Sequence, residues 1–166
     1  MSYHLIDDLS GCGLYAAHAF RDLHDLVFHG GIHFSQITPK KLEEFFSKQG
    51  IFSIACDGHT IVAMAAARPI IFRPNGPEED AAHALLDNII VLPDYRKRGI
   101  ARKLVTDLAV ASASKTFHDM KITRMNASCK RYSTDTANFY RSVGLMPSQL
   151  RVNDQSIYTM DLPTAV

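Results

Sequence analysis

Between residues 89 and 101 the chain passes from four consecutive apolar residues, Ile89-Ile90-Val91-Leu92, through Pro93-Asp94-Tyr95 and the basic turn Arg96-Lys97-Arg98-Gly99 to Ile100 and Ala101. An unbroken apolar run of this kind suits a central strand covered on both faces. Pro93 cannot donate to a ladder and therefore ends the strand. From Ile100 to Phe117 the residues Leu104, Val105 and Leu108, with Ala111 and Ala113, recur near the helical period. A buried strand that feeds through a tight turn into a long helix commits the chain to a layered architecture of sheet and helices.

Other segments fit that frame. Leu14, Ala17, Leu26 and Val27 predict an N-terminal helix, stopped by Gly30-Gly31. Thr38 is a good N-cap and Pro39 suits the first helical position, so a second helix opens there, buries Leu42, Phe45 and Phe46, and ends at Gly50. Phe52–Cys56 and Thr60–Ala67 flank Asp57-Gly58-His59, a strand pair around an Asp-Gly turn signal. Arg73 to Asp80 carries two prolines and a glycine and reads as a connection between strands. The apolar run closes a strand that begins near Ala84. A short strand at Ile122–Ser128, a helix at Asp135–Val143 stopped by Gly144, and a hairpin of 150–152 with 156–160 complete the order. With no repeat or low-complexity linker, the expectation is one α/β domain over residues 1–166, a central mixed β-sheet flanked by helices.

Composition narrows the function by exclusion. The formal net charge of the 166 residues is +1, and the basic character is local, in Arg96, Lys97, Arg98, Arg102 and Lys103. Nothing global calls for nucleic acid or an anionic membrane as partner. Cys12, Cys56 and Cys129 are an odd number without paired spacing, which argues against a disulfide framework and for reduced thiols in a cytoplasmic protein. No secretory signal is visible after Met1, and no apolar run approaches the ~20 residues of a spanning helix.

The turn at 96–101 has a chemistry of its own. A helix start leaves several backbone amides without partners and carries the positive end of the helix dipole. Gly99 lacks a side chain and Ala101 nearly does, so a ligand can approach the backbone closely. Three cations beside that dipole cost a few tenths of a kcal/mol each. They are understandable where an anion normally sits, and together the features describe a phosphate or pyrophosphate cradle. The plain alternative is a solvated helix entry.

Val91 to Ala101 resembles the signature of the GNAT superfamily of N-acetyltransferases, in which a strand is followed by a Pro-x-x-Arg-x-x-Gly-x-Gly/Ala turn. The resemblance runs in order from the second helix to the final hairpin. It implies the GNAT fold, acetyl-CoA as cosubstrate, no metal, and a primary amine of a small molecule or peptide as acceptor, with a homodimer common in the family. It also implies that the backbones of Arg96, Arg98, Gly99, Ile100 and Ala101 hold the CoA pyrophosphate and that Val91 pairs with the pantetheine arm. The helix 135–143 is similar to the second family signature through Phe139, Tyr140 and Gly144, with Ala137 one position closer than in some members. By the same resemblance Tyr140 donates the proton to the departing sulfur, and where many members carry an Asn that contacts the pantetheine this chain offers Ser133, Thr134 and Asp135, of which Ser133 could hydrogen-bond in its place.

Acetyl transfer to an amine needs a neutral nitrogen, a polarised thioester and a proton for the leaving thiolate. Tyr140 suits the last task, since a phenol is protonated up to a pKa near ~10; it also suits an amphipathic core position whose hydroxyl bonds backbone. Asp87 is the first candidate base. Even spacing puts residues 87, 89 and 91 on one strand face unless a bulge reverses the parity. His83 is the second. His24, His29 and His33 lie close in sequence but do not make a closed metal set; by resemblance His29, His33 and Phe34 border the acceptor pocket. Cys129 reads as a small buried hydrophobe, and Arg131 and Tyr132 as possible neighbours of the cofactor. Two rival readings remain on the same fold: transfer from another acyl-CoA, and a CoA-binding sensor without transfer.

Overall fold

The computed structural model describes residues 1–8, 39–73, 80–130, 133–152 and 154–163. The expected helix at 14–27, the Gly30-Gly31 stop, the Thr38 cap, Cys12, the three histidines 24, 29 and 33, Phe34, the centre of the 73–80 connection, and Arg131 and Tyr132 lie outside the described residues.

A strand that the helical reading of the N-terminal part did not anticipate comes first: β1, Ser2–Ile6, which pairs antiparallel with β2, Ile51–Asp57. Between them helix α1, Pro39–Ser47, packs Phe45 and Phe46 against Phe52, with ring centroids 4.5 and 5.7 Å away. Gly50 follows because the Phe45 ring lies where any Cβ would be: a methyl there would sit 2.3 Å from it. The hairpin predicted around Asp57 is present, with Asp57 opposite Thr60, and leads into β3, Thr60–Phe72. This strand runs five residues beyond the expected Ala67, through Pro69. The β2 ladder stops at Ala67, so the absent amide hydrogen of Pro69 breaks no bond on that side.

Strand β4, Ala81–Val91, is antiparallel to β3. A 3-10 turn at Pro93–Tyr95 leads to α2, Ile100–Ala113. The helix is shorter than the predicted 100–117, because Thr116–Phe117 (β5) folds into a two-stranded hairpin with Met120–Lys121 (β6). Then follow β7, Arg124–Lys130; α3, Thr134–Ser142; β8, Met146–Val152; and β9, Gln155–Asp161. The main sheet has the order β1-β2-β3-β4-β7-β9-β8. Among the described residues its one parallel pair is β4 with β7.

The mixed sheet is covered on both faces, as the apolar run at 89–92 requires. On one face α2 sets Leu104, Val105 and Leu108, all fully buried, against Ala63, Ala65, Ala67, Met125 and Ala127. The row of alanines lets the helix approach closely, and each fully buried leucine contributes about 1.5–3 kcal/mol. On the other face Phe52, Ile54, Met64, Ala66 and Ile90 pack with Phe45 and Phe46. Among the described residues no helix is long and apolar enough to cross a membrane.

Candidate active site

The site begins where the sheet comes apart. The β4–β7 pairing covers only His83–Leu85 against Arg124–Asn126. Beyond those pairs, the rest of β4 has β3 on one side and, among the described residues, no strand partner on the other. Among the described residues β7 likewise continues paired only to β9. The wedge between them opens into a cleft of about 1210 Å³. Its lining comes from β4 (Leu86 to Val91), the turn and start of α2 (Tyr95, Arg96, Lys97, Gly99, Ile100, Ala101, Arg102), and α3 (Asp135, Thr136, Phe139, Tyr140). The volume exceeds the roughly 300–1,000 Å³ usual for small-ligand sites, which suits an extended ligand.

The turn is built as a cradle. Lys97 has φ +59° and Gly99 φ +79°, so two left-handed residues bend the backbone back on itself. Such alternation points successive amides toward one concavity. Gly99 caps α2 without a side-chain bond, and the first helical bond runs from the Lys103 amide to the Gly99 carbonyl. The amides of Arg98, Gly99, Ile100, Ala101 and Arg102 therefore have no partner among the described residues. The Arg96 amide differs from expectation: it closes the 3-10 turn onto the Pro93 carbonyl at 3.1 Å. The side chain of Arg96 instead donates from Nε to the Val91 carbonyl at 3.0 Å, covering the group expected to meet a pantetheine arm. Arg98 turns out of the cleft and stacks over Tyr95, whose hydroxyl donates to Asp57 at 2.7 Å. The β2–β3 hairpin thus braces the loop.

Across the cleft, Tyr140 stands on α3 and donates its hydroxyl to the Ser128 carbonyl at 3.1 Å. Ser128 lies past the last β4–β7 pair. Burial, and secondarily the nearby Cys129, push the Tyr140 phenol above its ordinary pKa, so it stays protonated. The hydroxyl bonds backbone, as the packing reading expects, and the ring lines the cleft. Ser133 does not reach the lining; its hydroxyl donates to Thr136 at 2.7 Å, and Thr136 and Asp135 line the cleft in its place.

Asp87 is the bulge. Ala67 faces Leu86 and Ala66 faces Asn88, which leaves Asp87 as the extra residue. Parity with 89 and 91 fails for this reason: Ile89 and Val91 pack with the α2-side core, whereas the Asp87 carboxylate accepts from Arg68 Nε at 2.7 Å. Arg68 follows Met64 and Ala66 in the alternation of β3 and so belongs to the face opposite α2. Burial raises the Asp87 pKa, and Arg68 opposes that rise. Asp87 lines the cleft; His83 does not. His83 is 5% exposed, stacks on Phe72 and accepts at Nδ1 from Asn126 Nδ2 at 2.8 Å. Burial, then the charge of Arg124, holds it below its ordinary pKa and neutral.

Cys129 is buried, and burial raises its thiol pKa, as suits a packing residue. Among the described residues no group of three or more His, Cys, Asp or Glu could hold a metal ion. Sequence reasoning passed over Arg102, which counted only as charge. Its guanidinium joins the loop to α3, and nothing in sequence spacing predicts a contact across forty residues.

The sequence model of the family described as acetyltransferase (GNAT) domain matches residues 48–144, which include the cleft's strand, cradle and helix. No curated protein matches the chain in sequence. Among solved structures, smu.2055 from Streptococcus mutans is 16% identical with a TM-score of 0.66, covering 98% of this chain and 100% of its own. The aminoglycoside 6'-N-acetyltransferase from Acinetobacter haemolyticus is 18% identical with a TM-score of 0.61, over 92% of this chain and 95% of its own. Arabidopsis thaliana NAA60, in complex with acetyl-CoA, is 12% identical with a TM-score of 0.57, over 86% and 95%. At these identities the likeness is one of fold.

Proposed function

Because the chain belongs to the GNAT acetyltransferase family, it is an acetyl-CoA-dependent acetyltransferase, and we propose that it moves the acetyl group onto a primary amine of a small molecule or peptide by direct attack in a ternary complex. The observation that carries this reading is the run of unpartnered amides from Arg98 to Arg102 at the mouth of the cleft that Tyr140 lines. Five N–H groups without a partner among the described residues, at and just before the positive end of a fourteen-residue helix, suit a pyrophosphate. Lys97 adds charge at the same mouth. A neighbour of like fold named for N-acetylation of aminoglycosides supports nitrogen as the acceptor atom.

In this mechanism the pantetheine arm runs along the free edge of β4 once Arg96 releases the Val91 carbonyl. Asp87 takes a proton from the acceptor ammonium, directly or through one water. The nitrogen lone pair forms the C–N bond, the C–S bond breaks, and the second nitrogen proton leaves to solvent. Tyr140 donates to the departing sulfur and is reprotonated from solvent. At ordinary values, a phenol near ~10 and a thiol near ~8.5, full transfer to the sulfur is uphill by about 2 kcal/mol. Burial of Tyr140 adds to this, so its part is hydrogen-bond donation as charge builds on sulfur, with the proton passing late. Freeing its hydroxyl from Ser128 costs about 1 kcal/mol, a small part of a catalytic barrier. The two buried thiols, Cys56 and Cys129, favour a reducing compartment such as the cytoplasm.

The test is free-thiol release from acetyl-CoA with a panel of primary amines. Turnover with at least one amine is expected. Saturable binding of acetyl-CoA without thiol release by any amine would overturn the reading.

A further inference from the structure

Asp87 and Arg68 are more than a base and its counter-ion. Among the described residues theirs is the ion pair with the least exposed side chains, 38% for Arg68 and 23% for Asp87, and the only one with a member in the cleft lining. It is also incomplete. A guanidinium carries five N–H donors and a carboxylate two acceptor oxygens. Here a single bond joins Nε to Oδ2, and the two Nη groups and Oδ1 have no partner among the described residues. Half-sheltered from water and half-satisfied, the pair presents one positive and one negative group side by side on the sheet face opposite α2.

We propose that this pair is the acceptor subsite for a zwitterionic amine, an α-amino acid, whose carboxylate docks on the free Nη edge of Arg68 while its ammonium meets Asp87. The inference rests on the acetyl-transfer reading above and gives it a substrate class. In an α-amino acid the ammonium and the carboxylate sit on one carbon, so both can reach a guanidinium and a carboxylate that are themselves joined at 2.7 Å. Each charge of the ligand then meets its opposite in the pair. The planar guanidinium edge also suits bidentate carboxylate recognition. The ligand's ammonium is then left against the group that deprotonates it, at the bulge where the wedge opens. A monoamine would leave the Nη edge unpaired, and a polyamine would bring a second cation toward a guanidinium already there.

The experiment compares free α-amino acids, their carboxamides and their decarboxylated amines as acceptors, read by thiol release. The acids should exceed both analogues in kcat/KM by about tenfold or more, the size of a charge-assisted bond. Arg68→Gln should collapse that ratio toward one, and Arg68→Lys, which keeps the charge without the fork, should restore part of it. Turnover of amines with no preference for the acids in the wild-type enzyme overturns this inference and leaves acetyl transfer standing. So does a preference that Arg68→Gln leaves intact. Absence of thiol release with all three sets, while acetyl-CoA still binds, overturns both. Because the wild-type ratio is itself decisive, misfolding of a variant would not shield the proposal.

Discussion

The guanidinium of Arg102 donates twice to the carbonyl oxygen of Ser142, from Nε at 3.1 Å and from Nη2 at 2.7 Å. Arg102 is in the first turn of α2, and Ser142 is the last residue of α3. A cation near a helix N-terminus is unfavourable on its own helix and favourable at the C-terminus of another. By reaching across, Arg102 removes its charge from the first position and spends it on the second, and it ties the cradle to the helix that carries Tyr140.

Arg102→Ala should therefore act on the cleft more than on stability. The bond is exposed, so its loss should cost under about 1 kcal/mol in denaturant unfolding. The KM for acetyl-CoA should rise severalfold as the two walls separate. An unchanged KM would mean that the clamp does not set the width of the cleft.

Gly99→Ala tests the cradle backbone. Nothing lies within 4 Å of a Cβ built at Gly99, so no clash arises, but φ is +79°. The left-handed conformation costs a non-glycine residue about 1–2 kcal/mol. If the loop relaxes to escape that strain, the amides lose their common focus, and acetyl-CoA affinity should fall about tenfold. Calorimetric binding of CoA is the measurement.

Tyr140→Phe should lower kcat by about tenfold or more while the dissociation constant of acetyl-CoA changes little. Loss of the hydroxyl bond to Ser128 should also cost about 1 kcal/mol in unfolding free energy. A kcat equal to wild type would restrict Tyr140 to a packing role.

His83 predicts a pH dependence of stability. Its folded pKa is lowered, so the unfolded chain takes up a proton that the folded protein resists. Stability is intact above the ordinary histidine value of ~6.5 and is lost as pH falls through it toward the folded pKa. Thermal midpoints measured from about pH 7.5 to about 5.5 should decline in the wild type. They should decline less in His83→Gln; equal slopes would assign the effect to other groups.

Much of the fold was legible because its signals are local. Pro93 ends a strand wherever it occurs, Gly99 adopts a positive φ at little cost, and the spacing of Leu104, Val105 and Leu108 marks one buried face of a helix. The hairpin at Asp57 and the stop at Gly144 were readable for the same reason. Strand β1 was not, since five residues with a mixed pattern acquire strand identity only by pairing with β2. The continuation of β3 through Pro69 depends on where β2 ends. Ser133 shows the limit on side chains: its residue type suits a ligand contact, yet Thr136 stands close enough to take its hydroxyl.

By itself, then, the sequence determined the strand, turn and helix of the proposed anion cradle, because backbone conformation there is governed by Pro, Gly and apolar periodicity within a dozen residues. Only the tertiary structure decided on which face Asp87 lies and with whom it pairs. That choice depends on the register of β3 against β4, where a single extra residue turns the carboxylate toward Arg68, nineteen positions away. It also depends on β7 leaving β4 after three pairs, which opens the wedge. Register is fixed by packing summed over whole strands, and no short stretch of residues contains that sum.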